Sequence, residues 1–175
     1  MKNLDNKPIV MVGMMGVGKT TLGKMLAENM ACPFYDVDHE VVSSEGRSIP
    51  DIFKSEGEAA FRQIEERVFT RLVRNGFCVI STGGGAVTTA SVAKTIKDEA
   101  LSIWVHSAPE VILSRVSSDG SRPLLQNNDP LATLKKLEET RLSLYNKADI
   151  HVESGDEPIE VTFKKIIEGL NAYGL

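Results

Sequence analysis

The chain has 175 residues, 42% of them apolar and 25% charged, and its 20 basic and 24 acidic side chains leave a formal charge of −4. That length and balance suit one domain (1–175) with a single core and argue against disorder, since apolar segments recur throughout and no block of like charge appears. The acidic excess without a Lys/Arg stripe excludes a dedicated nucleic-acid binder, and no run of ~18 apolar residues exists to span a membrane.

Along the chain, Met1 to Pro8 is polar and too short for a signal peptide, and it leads into a β-branched run, Ile9 to Val12. Further short apolar runs follow at Phe34–Val37, Cys78–Ser81, Leu101–Val105 and Ile150–Val152. Their continuous rather than alternating character predicts strands covered on both faces, as in parallel sheets. Helical periodicity fills the gaps: Leu22, Met25, Leu26 and Met30 share one face, as do Phe61, Ile64, Val68, Phe69 and Leu72, and later Ile159, Phe163, Ile166, Ile167 and Leu170. Ser107-Ala108-Pro109-Glu110 reads as a capping box with an early proline, and Pro130 and Pro158 mark two more helix starts. Five strands alternating with helices predict an α/β three-layer sandwich around a parallel sheet. The segment Ser117–Asp129 is polar and punctuated by Gly120 and Pro123. Its composition suits a flap over a site, and equally an ordinary surface loop. Cys32 and Cys78 lie far apart in apolar surroundings and read as buried free thiols, which fits a reducing cytoplasm.

The decisive motif is Gly13-Met14-Met15-Gly16-Val17-Gly18-Lys19-Thr20, which fits G-x-x-x-x-G-K-[ST] between the first strand and the first amphipathic helix. Its glycines let several backbone N–H groups converge on one oxyanion, and the helix N-terminus adds about half a positive charge. Lys19 can reach the β- and γ-phosphates and Thr20 can offer a hydroxyl to Mg²⁺, so the motif predicts a nucleoside triphosphate site.

The remaining motifs, in order, are Phe34-Tyr35-Asp36-Val37-Asp38, Ser48-Ile49-Pro50-Asp51-Ile52-Phe53, Gly57-Glu58-Ala59-Ala60-Phe61-Arg62 with Glu65, Ser81-Thr82-Gly83-Gly84-Gly85, Arg115, Arg122-Pro123-Leu124-Leu125, and Arg141-x-x-x-Tyr145. With the P-loop they make the chain resemble the shikimate kinase family over nearly all its length. The resemblance implies a nucleoside-monophosphate-kinase-like fold with strand order 2-3-1-4-5. It also implies phosphoryl transfer from MgATP to the 3-hydroxyl of shikimate, within the chorismate route to aromatic amino acids. A substrate-binding segment would run from about 41 to 66 and a lid from about 117 to 129. ATP would be held by Gly16, Val17, Gly18, Lys19, Thr20 and Thr21, with Arg115 over the adenine and Arg122 on the transferring phosphate. Mg²⁺ would lie at Thr20 and Asp36. Shikimate would be held by Asp38, Arg62, Gly83, Gly84, Gly85 and Arg141, and Lys19, Asp38 and Arg122 would be catalytic.

The chemistry of the residues agrees. A small carboxylate with three hydroxyls needs fixed cations at one end, which Arg62 and Arg141 can supply, and acceptors at the other, which Asp38 can supply. Glycines 83–85 let backbone approach the ring closely. By spacing alone, Arg62 between Glu58, Glu65 and Glu66 also reads as a surface ion-pair residue, with Glu65 as the group that would hold it in position. The alternatives to these roles are exposed helix residues for Arg115 and Arg141 and a plain turn for the glycines. His39, His106 and His151 show no metal spacing. Asn146-Lys147-Ala148-Asp149 spells a guanine-reading motif but follows a helical pattern instead of a strand, and no aspartate has Gly three residues later. A gluconate or nucleoside-monophosphate kinase and a non-catalytic ATP-binding domain are the competing readings. With no exposed apolar stripe left over, a monomer is expected.

Overall fold

The computed structural model describes residues 7–116 and 129–175. Five strands, β1 (Ile9–Val12), β2 (Phe34–Asp36), β3 (Val79–Ser81), β4 (Leu101–His106) and β5 (Ile150–Glu153), form one sheet in the order β2-β3-β1-β4-β5. Every neighbouring pair is parallel, with Ile9 opposite both Val79 and Leu101. The helices between them are α1 (Lys19–Asn29), α2 (Val37–Glu45), α3 (Ile49–Val73), α4 (Ala90–Glu99), α5 (Pro109–Val116), α6 (Pro130–Tyr145) and α7 (Ile159–Tyr173).

Strand order dictates the layers. The β1-to-β2 connection runs along the sheet in one direction, and the later ones run in the other. Right-handed crossovers therefore place α1 on one face and α3, α4 and α6 on the opposite face. In keeping with this, α1 packs on α7, and α3 packs on α4. The central strands β1 and β3 are buried throughout, as their unbroken apolar sequences require. The edge strand β5 instead alternates, with Ile150 and Val152 buried and His151 and Glu153 exposed.

Local chemistry sets the boundaries. Val37, expected to end the second strand, is the first residue of α2 because the Asp36 carboxylate accepts from the Asp38 and His39 amides and caps a helix there. Ser48 caps α3 through the Asp51 amide, and Asp129 caps α6 through Ala132. The expected capping box at Ser107 does not form: α5 begins at Pro109, and the buried Ser107 hydroxyl has no hydrogen-bond partner. Inside α3, Gly57 has φ 81° and ψ 178°, a conformation only glycine adopts readily, so the long helix breaks just before Glu58.

Because the strands are parallel, β1, β2 and β3 all end on one edge, and the loop after β1, Asp36 and Gly83–Gly85 gather there. Open α/β sheets place ligands on this edge.

Candidate active site

The loop between β1 and α1 is shaped by glycine. Gly13, Gly16 and Gly18 have φ of 142°, 76° and 96°. A Cβ on Gly13 would overlap the Val105 carbonyl oxygen, and one on Gly16 would lie 2.5 Å from a Val116 methyl. The loop is thus pressed onto β4 and α5: a side chain at Gly13 would collide with backbone, and one at Gly16 would push on the Val116 and Ile112 methyls. Val17 is 1% exposed and packs into the core, which leaves its amide as the group able to meet a nucleotide. Lys19 folds back over the loop, its Nζ donating to the Gly13 and Met14 carbonyls at 2.8 and 2.7 Å. Its ammonium is thereby parked inside the anion cradle. Thr20 and Thr21 open α1 on its exposed side.

Thr20 Oγ1 donates to Asp36 Oδ2 at 2.7 Å, while Asp36 Oδ1 accepts from the cap amides. The expected metal pair is therefore adjacent. A hydroxyl and a carboxylate beside a phosphate cradle are hard oxygen donors of the kind Mg²⁺ takes while keeping most of its waters. Among the described residues no cluster of three or more acidic, His or Cys side chains competes as a metal site.

The second half of the site surrounds Gly83–Gly85. Thr82 prolongs β3 by bonding the Met11 carbonyl through both its amide and its hydroxyl, which fixes where the triplet begins. A Cβ on Gly83 would lie 3.1 Å from Asp38 Oδ1 and 3.2 Å from Glu65 Oε1. One on Gly84 would lie 3.2 Å from the Met15 amide and 3.5 Å from Arg141 Nη1, and one on Gly85 would overlap the Arg62 guanidinium. Asp38, Arg62 and Arg141, from three different helices, thus converge on the triplet.

Arg62 is half-buried and held by two carboxylates of its own helix. It donates to Glu65 Oε2 at 2.7 Å and to Glu58 Oε1 at 3.2 Å, and Glu65 is 1% exposed. Burial works against the charged guanidinium, but these bonds outweigh it and hold its pKa above the ordinary value. Burial raises the Glu65 carboxyl, with Arg62 pulling back and nearby Asp38 adding to the rise. Arg62 Nε and Glu65 Oε1 are buried with no partner, so the pocket retains one donor and one acceptor. Arg141 Nη1 donates to the Gly84 carbonyl at 3.1 Å.

Arg115 is engaged with the loop after β5, donating to Ser154 Oγ at 3.1 Å and to the Gly155 carbonyl. Arg122 and the expected lid, apart from Asp129, lie outside the described residues. The Asn146–Asp149 motif sits at the opposite edge of the sheet, where Asp149 Oδ2 accepts from the Ser102 amide and hydroxyl at the start of β4. That distance from the cradle removes the guanine-reading interpretation. The histidines flank Trp104: His106 lies 4.7 Å and His151 5.1 Å from it between ring centroids. Cys32 and Cys78 are free thiols, and burial pushes Cys78 up to about 11.

Sequence reasoning gave Tyr145 no role. It is 1% exposed, and its hydroxyl donates to the Gly84 carbonyl at 2.5 Å. The signal was present, since Arg141 and Tyr145 are spaced i, i+4 and so share a helix face.

The sequence profile of the shikimate kinase family matches residues 15–171. The shikimate kinase of Ruegeria pomeroyi is 43% identical over 166 residues, covering 94% of this chain and 85% of the relative. Among solved structures, the Acinetobacter baumannii shikimate kinase in complex with shikimate superposes with a TM-score of 0.92 at 34% identity, covering 99% of this chain and 97% of that one. The Aquifex aeolicus shikimate kinase gives 0.83 at 38% identity, covering 96% and 98%.

Proposed function

The chain belongs to the shikimate kinase family, and on that premise we propose how its residues carry out the reaction. The enzyme transfers the γ-phosphoryl group of ATP to the 3-hydroxyl of shikimate, giving shikimate 3-phosphate and ADP, a step of aromatic biosynthesis. The amides of Gly16 to Thr21 and the N-terminus of α1 bind the phosphates. Lys19 leaves the Gly13 and Met14 carbonyls for the β- and γ-oxygens, so its positive charge is already in place when the nucleotide arrives. Arg115 and the loop at Ser154–Gly155 border the adenine.

Shikimate lies against Gly83–Gly85 within the 41–66 segment, its carboxylate on Arg62 and Arg141. Buried Glu65 holds the half-buried Arg62 in place, and Asp38 accepts a hydrogen bond from the reacting hydroxyl. That bond aims the oxygen at the γ-phosphorus. A new O–P bond forms there as the bond to the leaving ADP oxygen breaks. The loose transition state of such transfers asks for position more than basicity, which suits a carboxylate fixed in the first turn of α2. Mg²⁺ would be held by Thr20 and, through water, by Asp36, and would neutralise charge on the phosphate oxygens.

Convergence of the loop after β1, Arg141 and Arg62 on Gly84 and Gly85 carries this reading. We take the enzyme to act as a monomer in the cytoplasm. In support, exposed large apolar residues such as Val42, Leu142 and Val161 are scattered over separate helices, and both thiols are free. Among the described residues no helix is long and apolar enough to cross a membrane. An ADP-release assay offering shikimate, gluconate and CMP separately tests the substrate: turnover with shikimate alone is expected, and preferential use of either other acceptor would overturn it.

A further inference from the structure

Tyr145 closes α6 one turn beyond Arg141, and its ring stacks on Trp104 of β4 with centroids 5.8 Å apart and planes 16° from parallel. Ring packing alone would explain a buried phenylalanine there. The hydroxyl needs a separate account, because burying an unpaired phenol is costly and this one is paired with site atoms only. It donates to the Gly84 carbonyl at 2.5 Å, and that same oxygen accepts from Arg141 Nη1 at 3.1 Å. Arginine and phenol thus converge on one acceptor, the Gly84 carbonyl oxygen. Beyond that peptide is the P-loop, since a Cβ on Gly84 would lie 3.2 Å from the Met15 amide and 3.5 Å from the Gly13 carbonyl oxygen.

A carbonyl oxygen has two lone pairs. The short phenol bond occupies one, so Arg141 shares the oxygen through a single longer bond and keeps the rest of its planar fork for another partner. Without the hydroxyl, Gly84 would offer Arg141 both lone pairs, and the guanidinium would turn toward the triplet and away from the pocket. Burial pushes the phenol pKa upward, with Arg141 only partly offsetting this, so the group remains a donor at neutral and mildly alkaline pH.

We propose that Tyr145 is a positioning residue: its hydroxyl, by sharing the Gly84 carbonyl with Arg141, aims the Arg141 guanidinium at the carboxylate of the bound acid. The inference rests on the carboxylate role given to Arg141 above.

The test is a double-mutant cycle of Tyr145→Phe and Arg141→Ala, with steady-state constants for shikimate and for ATP and a melting curve for each protein. Phenylalanine keeps the stack on Trp104 and removes only the hydroxyl. A lost hydrogen bond corresponds to about three- to tenfold. Tyr145→Phe should raise the shikimate KM by that factor, with smaller changes in kcat and in the ATP KM. In the Arg141→Ala background the same substitution should change the shikimate KM less than about twofold, because the group it aims is gone. Three results would overturn the proposal: an unchanged shikimate KM in Tyr145→Phe, equal rises in both KM values, or the full effect persisting without Arg141. A lowered Tm with an unchanged KM belongs to the first of these and would assign the hydroxyl to stability alone. If Arg141→Ala by itself left the shikimate KM at the parent value, the carboxylate role would fail and this inference with it. The other results overturn only the role of Tyr145.

Discussion

The phosphate cradle and the acid pocket meet at Gly84, yet they are built by different means. The cradle is backbone: three left-handed glycines, a helix N-terminus, and a lysine tethered to two carbonyls of its own loop. The pocket is side chain: Asp38, Arg62, Glu65, Arg141 and Tyr145 come from three helices and meet around a glycine triplet. A cradle of this kind grips any triphosphate and owes its shape to neighbours it cannot push aside. A pocket of this kind discriminates, and it owes its shape to flexible groups that hold one another.

The largest break in the comparison should come from Lys19→Ala. It removes the lysine that lies over the cradle, and ADP release should fall below detection; appreciable turnover would show that the amides suffice. Asp38→Asn keeps the shape of the pocket but weakens its acceptor, and kcat should drop at least ~10²-fold. A near-normal kcat would remove Asp38 from the mechanism. Arg141→Ala deletes a charge-assisted bond, which corresponds to about 10- to 100-fold in the shikimate KM, with a smaller change for ATP. Equal changes would contradict the carboxylate role.

Glycine substitutions sharpen the contrast. Gly85 has φ −94°, which alanine adopts freely, and its new Cβ would push on the far end of Arg62. Gly85→Ala should therefore raise the shikimate KM about tenfold, the cost of one weakened charge-assisted bond, with little loss of Tm. Gly13→Ala, with φ 142° and a backbone oxygen in the way, should lower Tm far more. The reverse order of melting temperatures would refute the division between backbone and side-chain construction.

The smallest effect is a pH dependence. Glu65 has a folded pKa raised above its ordinary 4.5, so any stability tied to it is fullest below that value and is lost as pH rises through the folded pKa. The stability of Glu65→Gln relative to the parent should therefore improve between about pH 4 and pH 7. Denaturant titrations across that range would check it, and a gap that moves the other way would mean Arg62 outweighs burial.

The same division decides what could be read from the sequence. The cradle is contiguous, so its residues, order and context were visible in eight positions, and the parallel sheet followed from unbroken apolar runs. The pocket is assembled from distant segments. Spacing alone left Arg62 an ordinary ion-pair residue, and the resemblance to a family supplied what periodicity could not. Where local chemistry competed with pattern, pattern lost. Asp36 turned Val37 from strand to helix, and Pro109 set the start of α5 in place of Ser107. Tyr145 was visible in the Arg141-x-x-x-Tyr145 motif but received no role, because an apolar helix face does not show where a buried ring's hydroxyl ends up.

Calorimetric titration of the enzyme with shikimate, and with its carboxamide in which the ring and hydroxyls are kept but the charge is removed, tests the two-arginine pocket most directly. The carboxamide should bind at least about tenfold more weakly, the equivalent of one charge-assisted bond. Equal affinity for the two would contradict the pocket of Arg62 and Arg141.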